Sequence, residues 1–214
     1  SILVATPLIA AGCSSDTPSS NSLKINTGNF SSLLLVEGDS DSCSLTATYN
    51  KKTVKLSTVS FSYYNSKVLS ASWNKSTQKV EITAKNGGST TFTMNAKDEN
   101  NHTAEASVEL KEYQNVLDVN TSGFAGIELY VGGKSVSCDL SASYKESSVS
   151  ISKVYLTCED DSIVSTKWSN GKVTITPKKA GSTLLTIKVL DSKNHIGVEH
   201  VTITVSNPVS ITLD

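Results

Sequence analysis

Apolar and polar residues alternate along most of the chain, in short runs separated by turn residues. Val80 and Ile82 share one side of such a run, and Leu185, Ile187 and Val189 share one side of a later run. A period of two is typical of β-strands with one buried face, and no long run has the 3.6-residue period of a helix. The pattern therefore predicts an all-β fold.

The same series of segments occurs twice in the chain. Residues 42–49 (SCSLTATY) recur as residues 137–144 (SCDLSASY), and residues 80–85 (VEITAK) recur as residues 173–178 (VTITPK). Each copy has about the size of an immunoglobulin-like sandwich. The repeat therefore predicts two tandem β-sandwich domains, at residues 23–113 and residues 114–207.

One part of the second copy resembles a known family. Residues 168–187 (WSNGKVTITPKKAGSTLLTI) are similar to the later half of bacterial Ig-like domains, the group found in intimin, invasin and many surface proteins. Asn170-Gly171 is a typical two-residue hairpin connection of the type I′ turn. The resemblance extends over most of residues 23–207. It implies a binding or spacer module at a cell surface, with no catalytic residues to carry over.

The first residues of the chain indicate export and lipid attachment. Residues 1–13 (SILVATPLIAAGC) form an uncharged apolar run that ends in a cysteine, and the run is too short to span a bilayer. Its ending resembles a bacterial lipobox, which implies a remnant of a signal peptide and a lipid on Cys13. Residues 14–22 are polar and Ser-rich, which predicts a disordered tether. We therefore expect a lipid-anchored location in the bacterial cell envelope, facing the surface or the periplasm.

The other end of the chain and its charge add two expectations. Residues 208–214 resemble the first strand of a further repeat. The formal net charge is -1, and all 19 basic residues are Lys, so we expect no nucleic-acid partner and no bidentate clamp for phosphate groups. We expect the partners to be the membrane, through Cys13, and a protein or glycan ligand at the cell surface.

Two similar polar stretches are the main candidates for a chemical site. They run from Asp98 to His102 and from Asp191 to His195, and each separates two alternating runs. Asp and Asn are natural turn residues, so the preferred interpretation is a hairpin turn used twice. The alternative is a Ca²⁺ site, but the second stretch has a lysine at position 193. We therefore expect no metal site, no catalytic residues and no cofactor.

The remaining cysteines leave two alternatives open. Cys43 and Cys138 are equivalent positions of the repeat, and Cys158 aligns with Tyr63. One alternative is a disulfide between Cys138 and Cys158 with Cys43 as a buried thiol, and the other is three buried free thiols.

The leading functional interpretation is a surface or envelope lipoprotein whose domains serve binding, adhesion or spacing. A second interpretation is a carbohydrate-binding accessory lipoprotein, which exposed aromatic side chains arranged in a flat patch would favour. An enzyme is the least favoured class, because the sequence shows no cluster of acid, base and nucleophile outside the repeated positions.

Overall fold

The computed structural model describes residues 22–63 and 65–208. Within those residues the chain forms β-strands and two short 3-10 turns, Gly28–Ser32 and Ser122–Phe124. The predicted all-β class, with immunoglobulin-like sandwiches, is confirmed by the strand arrangement in each half of the chain. The chain divides into two compact units, and the division falls between Gln114 and Asn115.

The first unit is built from strands that follow the alternating runs of the sequence. They are β1 (Leu23–Asn26), β2 (Leu35–Val36), β3 (Ser40–Ser44), β4 (Thr46–Tyr49), β5 (Lys52–Val54), β6 (Leu56–Tyr63), β7 (Leu69–Asn74), β8 (Lys79–Ala84), β9 (Gly88–Asp98) and β10 (Thr103–Tyr113).

These strands form the layers of a sandwich. One layer is the four-stranded sheet β2-β10-β9-β6, in which β2 is parallel to β10. The other layer consists of the sheets β1-β4-β5 and β3-β8-β7, and β3 and β4 are consecutive pieces of the chain separated by Leu45. Leu45 is buried, and its N–H donates to the carbonyl oxygen of Gln78, so the interruption is itself part of the packed structure.

The second unit repeats this arrangement. Its strands are β11 (Asp118–Asn120), β12 (Leu129–Tyr130), β13 (Val136–Asp139), β14 (Ser141–Tyr144), β15 (Ser147–Val149), β16 (Ile151–Cys158), β17 (Val164–Ser169), β18 (Lys172–Pro177), β19 (Gly181–Asp191) and β20 (Ile196–Ser206). They form the sheets β12-β20-β19-β16, β11-β14-β15 and β13-β18-β17.

Each unit has its own apolar core between its layers. In the first unit Phe92 is fully buried and meets Phe30 edge-on, with ring centroids 5.7 Å apart. In the second unit Ile175, Leu185 and Ile187 are fully buried in an equivalent cluster. Burying one such side chain contributes about 1.5–3 kcal/mol, so the alternating inward residues supply the main driving force for each sandwich.

The turn chemistry also follows the sequence. Asn170 and Gly171 both have positive φ angles, 52° and 73°, and they connect β17 to β18 between the paired residues Ser169 and Lys172. This is the conformation expected of an Asn-Gly hairpin turn, because Asn and Gly tolerate the left-handed region. The predicted hairpin is confirmed.

Three predicted segments lie wholly or largely outside the described residues. They are the predicted signal-peptide remnant at residues 1–13 with Cys13, residues 14–21 of the predicted tether and residues 209–214 of the predicted further repeat. Within residues 22–63 and 65–208, the structure contains no helix with the length and apolarity of a membrane span.

Candidate functional site

Asp98 and His102 lie at the two ends of the loop that joins β9 to β10. The N–H of Asp98 donates to the carbonyl oxygen of His102 at 3.1 Å, and the N–H of Asn101 donates to the carbonyl oxygen of Asp98 at 3.2 Å. Asn101 has a φ of 65°, in the left-handed region that Asn tolerates. The prediction of a hairpin turn at this stretch is confirmed.

The carboxylate of Asp98 holds this turn from inside. Its Oδ1 accepts the N–H groups of Asn100 and His102, both at 2.9 Å, and its Oδ2 lies 2.8 Å from Nδ1 of His102. Because an ionised carboxylate can only accept, Nδ1 carries the proton. Asp98 is 1% exposed, so this network of three donors replaces water around a buried carboxylate.

The imidazole of His102 connects the turn to the opposite layer of the sandwich. It stacks on the ring of Tyr49, with centroids 3.7 Å apart and an interplanar angle of 12°. Tyr49 ends β4, whereas Asp98 ends β9 in the four-stranded sheet. We call this set of aspartate, histidine and tyrosine the latch, because it joins the end of one layer to the other.

The second unit contains the same latch. Oδ1 of Asp191 accepts the N–H groups of Lys193 and His195 at 2.8 and 2.9 Å, and Oδ2 lies 2.7 Å from Nδ1 of His195. His195 stacks on Tyr144 with centroids 4.0 Å apart and an interplanar angle of 11°. The aspartate, histidine and tyrosine therefore recur with the repeat, while the residues between them differ.

A serine hydroxyl supports each latch from the neighbouring strand. Oγ of Ser57 lies 2.9 Å from the carbonyl oxygen of Asp98, and Oγ of Ser152 lies 2.8 Å from that of Asp191. Both serines lie where the pairing of the neighbouring strand shifts register, which indicates a β-bulge. The bulge thus aims the hydroxyl at the residue that begins the turn.

The electrostatics of the latch favour a structural role. Burial alone would raise the pKa of Asp98 and Asp191, but hydrogen bonds from the histidine ring and from backbone N–H groups hold both pKa values below their usual range. Each carboxylate is therefore ionised at neutral pH and already has three donors. Among residues 22–63 and 65–208, no group of three or more His, Cys, Asp or Glu side chains is arranged to hold a metal ion.

All three cysteines in the described part of the chain are free thiols. Cys43 and Cys138 are buried, and Cys158 is half-buried. Cys138 lies on β13 and Cys158 ends β16, which belong to different sheets of the second unit. Their sulfurs are not bonded to each other, so the alternative of a bridge between Cys138 and Cys158 is not formed in this structure. Burial raises the pKa of Cys43 to about 12, so its thiol is unreactive.

One buried acidic side chain has no counterpart in the second unit. Glu112, near the end of β10, is 2% exposed, and its Oε2 accepts the N–H of Lys85 at 3.2 Å. Its Oε1 is buried with no hydrogen-bond partner among the described residues. Burial, and to a lesser extent the nearby Glu37, raise the pKa of Glu112 to about 7, against hydrogen bonds from the N–H groups of Lys85 and Asn86. The equivalent residue of the second unit is Val205.

The repeated tryptophans are packing residues. Trp73 and Trp168 are half-buried against the cores of their units, with Nε1 of each ring out of contact with water. This agrees with the general use of large aromatic side chains in cores. The flat aromatic platform that a sugar would need is therefore not supplied by these two rings.

Sequence reasoning found two members of each latch and missed the third. The spacing of the aspartate and histidine marks them in the sequence, whereas Tyr49 and Tyr144 are only the last residues of the repeated segments 42–49 and 137–144. The signal that could have connected them is that all three residue types recur together in both copies. Glu112 gave no signal, because it lies at an inward position of an alternating run without any motif around it.

Comparisons with known proteins return similarities of fold at low sequence identity. No family model matches the chain, and no curated protein matches it. Among solved structures, the tandem Ig repeats of Dlar share 11% identity with a TM-score of 0.48, over 88% of this chain and 100% of theirs. Fibronectin(III)-like modules of Clostridium thermocellum CbhA share 17% identity with a TM-score of 0.32, over 86% of this chain and 94% of theirs.

The D00-D0 domain of intimin is a further similar structure, with 14% identity and a TM-score of 0.33 over 85% of this chain and 99% of that chain. The class of protein follows from the strands themselves, since each unit is a two-layer immunoglobulin-like β-sandwich.

Proposed function

We propose that the protein is a lipid-anchored component of a bacterial cell envelope, and that its tandem Ig-like units serve as a binding, adhesion or spacer module. The observation that carries this proposal is the ending Ala11-Gly12-Cys13 of an uncharged apolar run, followed by a Ser-rich segment up to the first strand at Leu23. This order suits a lipid anchor, a tether and a folded module. Two acyl chains on Cys13 would hold the protein stably, whereas a single chain gives marginal binding.

A role in binding or spacing, without catalysis, is supported by how the candidate chemical groups are used. The two aspartate–histidine pairs hold turns, and each histidine ring is stacked on a tyrosine. The third histidine, His200, contacts the hydroxyl of Thr186 on a neighbouring strand. A general base needs an accessible partner to deprotonate, and these contacts serve the sandwich instead.

The experiment compares lipid attachment in the wild type and in a Cys13→Ala variant. The gene is expressed with its own translation start, cells are fed a fatty-acid analogue, and detergent phase partitioning is measured. We expect label and detergent partitioning in the wild type and neither in Cys13→Ala. A Cys158→Ala variant is the matched control, since it removes a half-buried thiol and should keep the label. A wild type that takes up no label and remains in the aqueous phase would contradict the proposal.

A further inference from the structure

The outward side of the four-stranded sheet in the second unit has an unusual composition. Its strands are ordered β12-β20-β19-β16, and Leu185, Ile187 and Ile203 point into the core. The alternate residues therefore point outward. On the two central strands they include Ser182, Leu184 and Thr186 on β19 and His200, Thr202 and Thr204 on β20. Lys188 and Val198 continue the same two rows, but they are only 6% and 9% exposed. We call this side the outer face of the second unit.

The equivalent face of the first unit carries charged groups beside hydroxyl groups, which include the pair Thr93 and Ser107 with oxygens 2.7 Å apart. Glu109 and Lys111 occupy the positions on β10 that Thr202 and Thr204 occupy on β20, as the pairing of the last two strands in each unit shows. The outer face of the second unit thus carries hydroxyl groups at positions where the first unit carries ionised groups. Because the two units share one strand arrangement, this difference in outward residues is a property of the second unit's sequence and is not required by the fold.

The hydroxyl groups of this face are organised in pairs across the strands. Oγ of Ser182 lies 2.9 Å from Oγ1 of Thr204, and Oγ1 of Thr186 lies 3.1 Å from Nδ1 of His200. A hydroxyl can both donate and accept, so a row of them can satisfy a ligand whose own groups are hydroxyls. Because the strands hold these side chains in place, little conformational entropy would be lost on binding.

Exposed tyrosines lie at opposite corners of the same face. Tyr130 on the edge strand β12 is 39% exposed and pairs with Ser206, and Tyr155 on the other edge strand, β16, is 42% exposed. Across the sheet, Tyr155 is level with Val198 of β20, whereas Tyr130 is level with Ser206. The two rows of paired residues that contain the tyrosines are therefore eight residues apart along β20. At about 3.3 Å per residue, the rows are roughly 26 Å apart. Leu184, between them, is 38% exposed.

We propose that the outer face of the second unit binds an extended, uncharged glycan. This inference rests on the proposed function of a binding module and names the class of its ligand. The apolar C–H faces of sugar rings would pack on Tyr130 and Tyr155, which combine an apolar ring with a polar hydroxyl. The sugar hydroxyls would bond to the Ser and Thr rows between the tyrosines.

Other ligand classes fit this face less well. An acidic or basic ligand would need opposite charges at the centre of the face, where Thr202 and Thr204 lie. The charged groups are at its two ends: Glu128 accepts from the hydroxyl of Tyr130 at 3.2 Å, and Lys153 and Lys188 lie beside Tyr155. A stable protein partner needs a buried apolar centre, whereas the centre of this face consists mainly of hydroxyl groups around Leu184. An uncharged chain of hydroxyl-bearing rings matches the hydroxyl groups at the centre of the face and the tyrosines near its ends.

The test uses the full chain on an array of neutral and acidic oligosaccharides, and in native gels cast with hydroxyethyl cellulose, xyloglucan or alginate. Thr202→Glu introduces the charge that Glu109 has at the equivalent position of the first unit. Tyr155→Ser introduces a serine, which is the residue at the equivalent position 60 of the first unit. Thr174→Glu is the matched control, because it makes the same change at a Ser–Thr hydroxyl pair on the opposite layer. Thermal melting establishes that each variant is folded.

We expect the wild type to bind neutral glycans, with affinity rising with chain length, and Thr174→Glu to bind equally. Thr202→Glu should weaken binding by about tenfold or more, because the glycan would desolvate the new carboxylate. Tyr155→Ser should weaken it as well. The inference is wrong if no neutral glycan binds, if acidic glycans are preferred, or if both variants bind like the wild type.

Self-association is the remaining outcome, and it also overturns the inference. If sedimentation shows a wild-type dimer that Thr202→Glu dissociates, the outer face binds a second copy of the chain. Lipid labelling of Cys13 is measured independently in cells. A failure of glycan binding is therefore distinguishable from a failure of the proposed envelope anchor.

Discussion

The imidazole of His102 lies flat on the ring of Tyr49 at 3.7 Å, while its Nδ1 contacts the buried carboxylate of Asp98 at 2.8 Å. His195 has the same two contacts in the second unit, with Tyr144 and Asp191. A sequence of acidic, amide and imidazole groups that resembles a binding site is thus used to close one end of each sandwich.

Removing the aspartate should therefore destabilise a unit. Asp98→Ala leaves the N–H groups of Asn100 and His102 without their part-buried acceptor, which costs stability. We expect the melting transition of the first unit to fall by several degrees. Glu99→Ala, at the exposed tip of the same loop, is the control and should melt like the wild type. Equal melting of both variants, followed by circular dichroism, would refute the structural role of the latch.

The latches also predict loss of stability in acid. The folded pKa values of Asp98 and Asp191 lie below the usual value of 3.8, so the folded state binds protons less readily than the unfolded state. Their contribution to stability is fully present above about pH 4 and is lost as the pH falls through the folded pKa values. Denaturant unfolding between pH 2 and pH 6 should show this loss, and the double variant Asp98→Asn, Asp191→Asn should show less of it. An unchanged acid dependence in the double variant would contradict the assignment.

The buried carboxyl of Glu112 should make the stability of the first unit depend on pH in the opposite direction. Its pKa is raised from 4.5 to about 7, so its contribution to stability is fully present below pH 4.5 and is lost as the pH rises toward about 7. Glu112→Gln keeps the shape of the side chain without the charge, and should raise the melting temperature at pH 8 but not at pH 4. Glu109→Gln, at an exposed position of the same strand, should have little effect at either pH. If Glu112→Gln and Glu109→Gln change the melting temperature alike at both pH values, the buried carboxyl of Glu112 is not the cause of the pH dependence.

Treatment with a reductant should leave the mass of the protein unchanged, because Cys43, Cys138 and Cys158 are already free thiols. Intact mass spectrometry before and after reduction measures this directly. Iodoacetamide should label none of the buried pair, Cys43 and Cys138, in the native protein, and all three cysteines in denaturant. A gain of two hydrogens on reduction would show that a disulfide forms and would contradict the free thiols.

The fold could be predicted because alternation, the repeat and the Asn170-Gly171 turn all depend on neighbouring residues. The turn at Asp98 was predicted for the same reason. The stacking on Tyr49 could not be predicted, because it depends on which residue of the opposite layer faces the turn. The burial of Glu112 was equally hidden, since one charged residue in an alternating run is usually solvated. The contrast between Thr202 and Glu109 becomes meaningful only once the outward side of each sheet is known.

The central claim is that each copy of the repeat is a complete sandwich with its own core and its own latch. It is tested most directly by producing residues 22–114 and 115–208 as separate proteins and recording circular dichroism during heating. The account predicts a strand-type spectrum and one cooperative melting transition for each fragment. A disordered spectrum, or melting without cooperativity, in either fragment would contradict it.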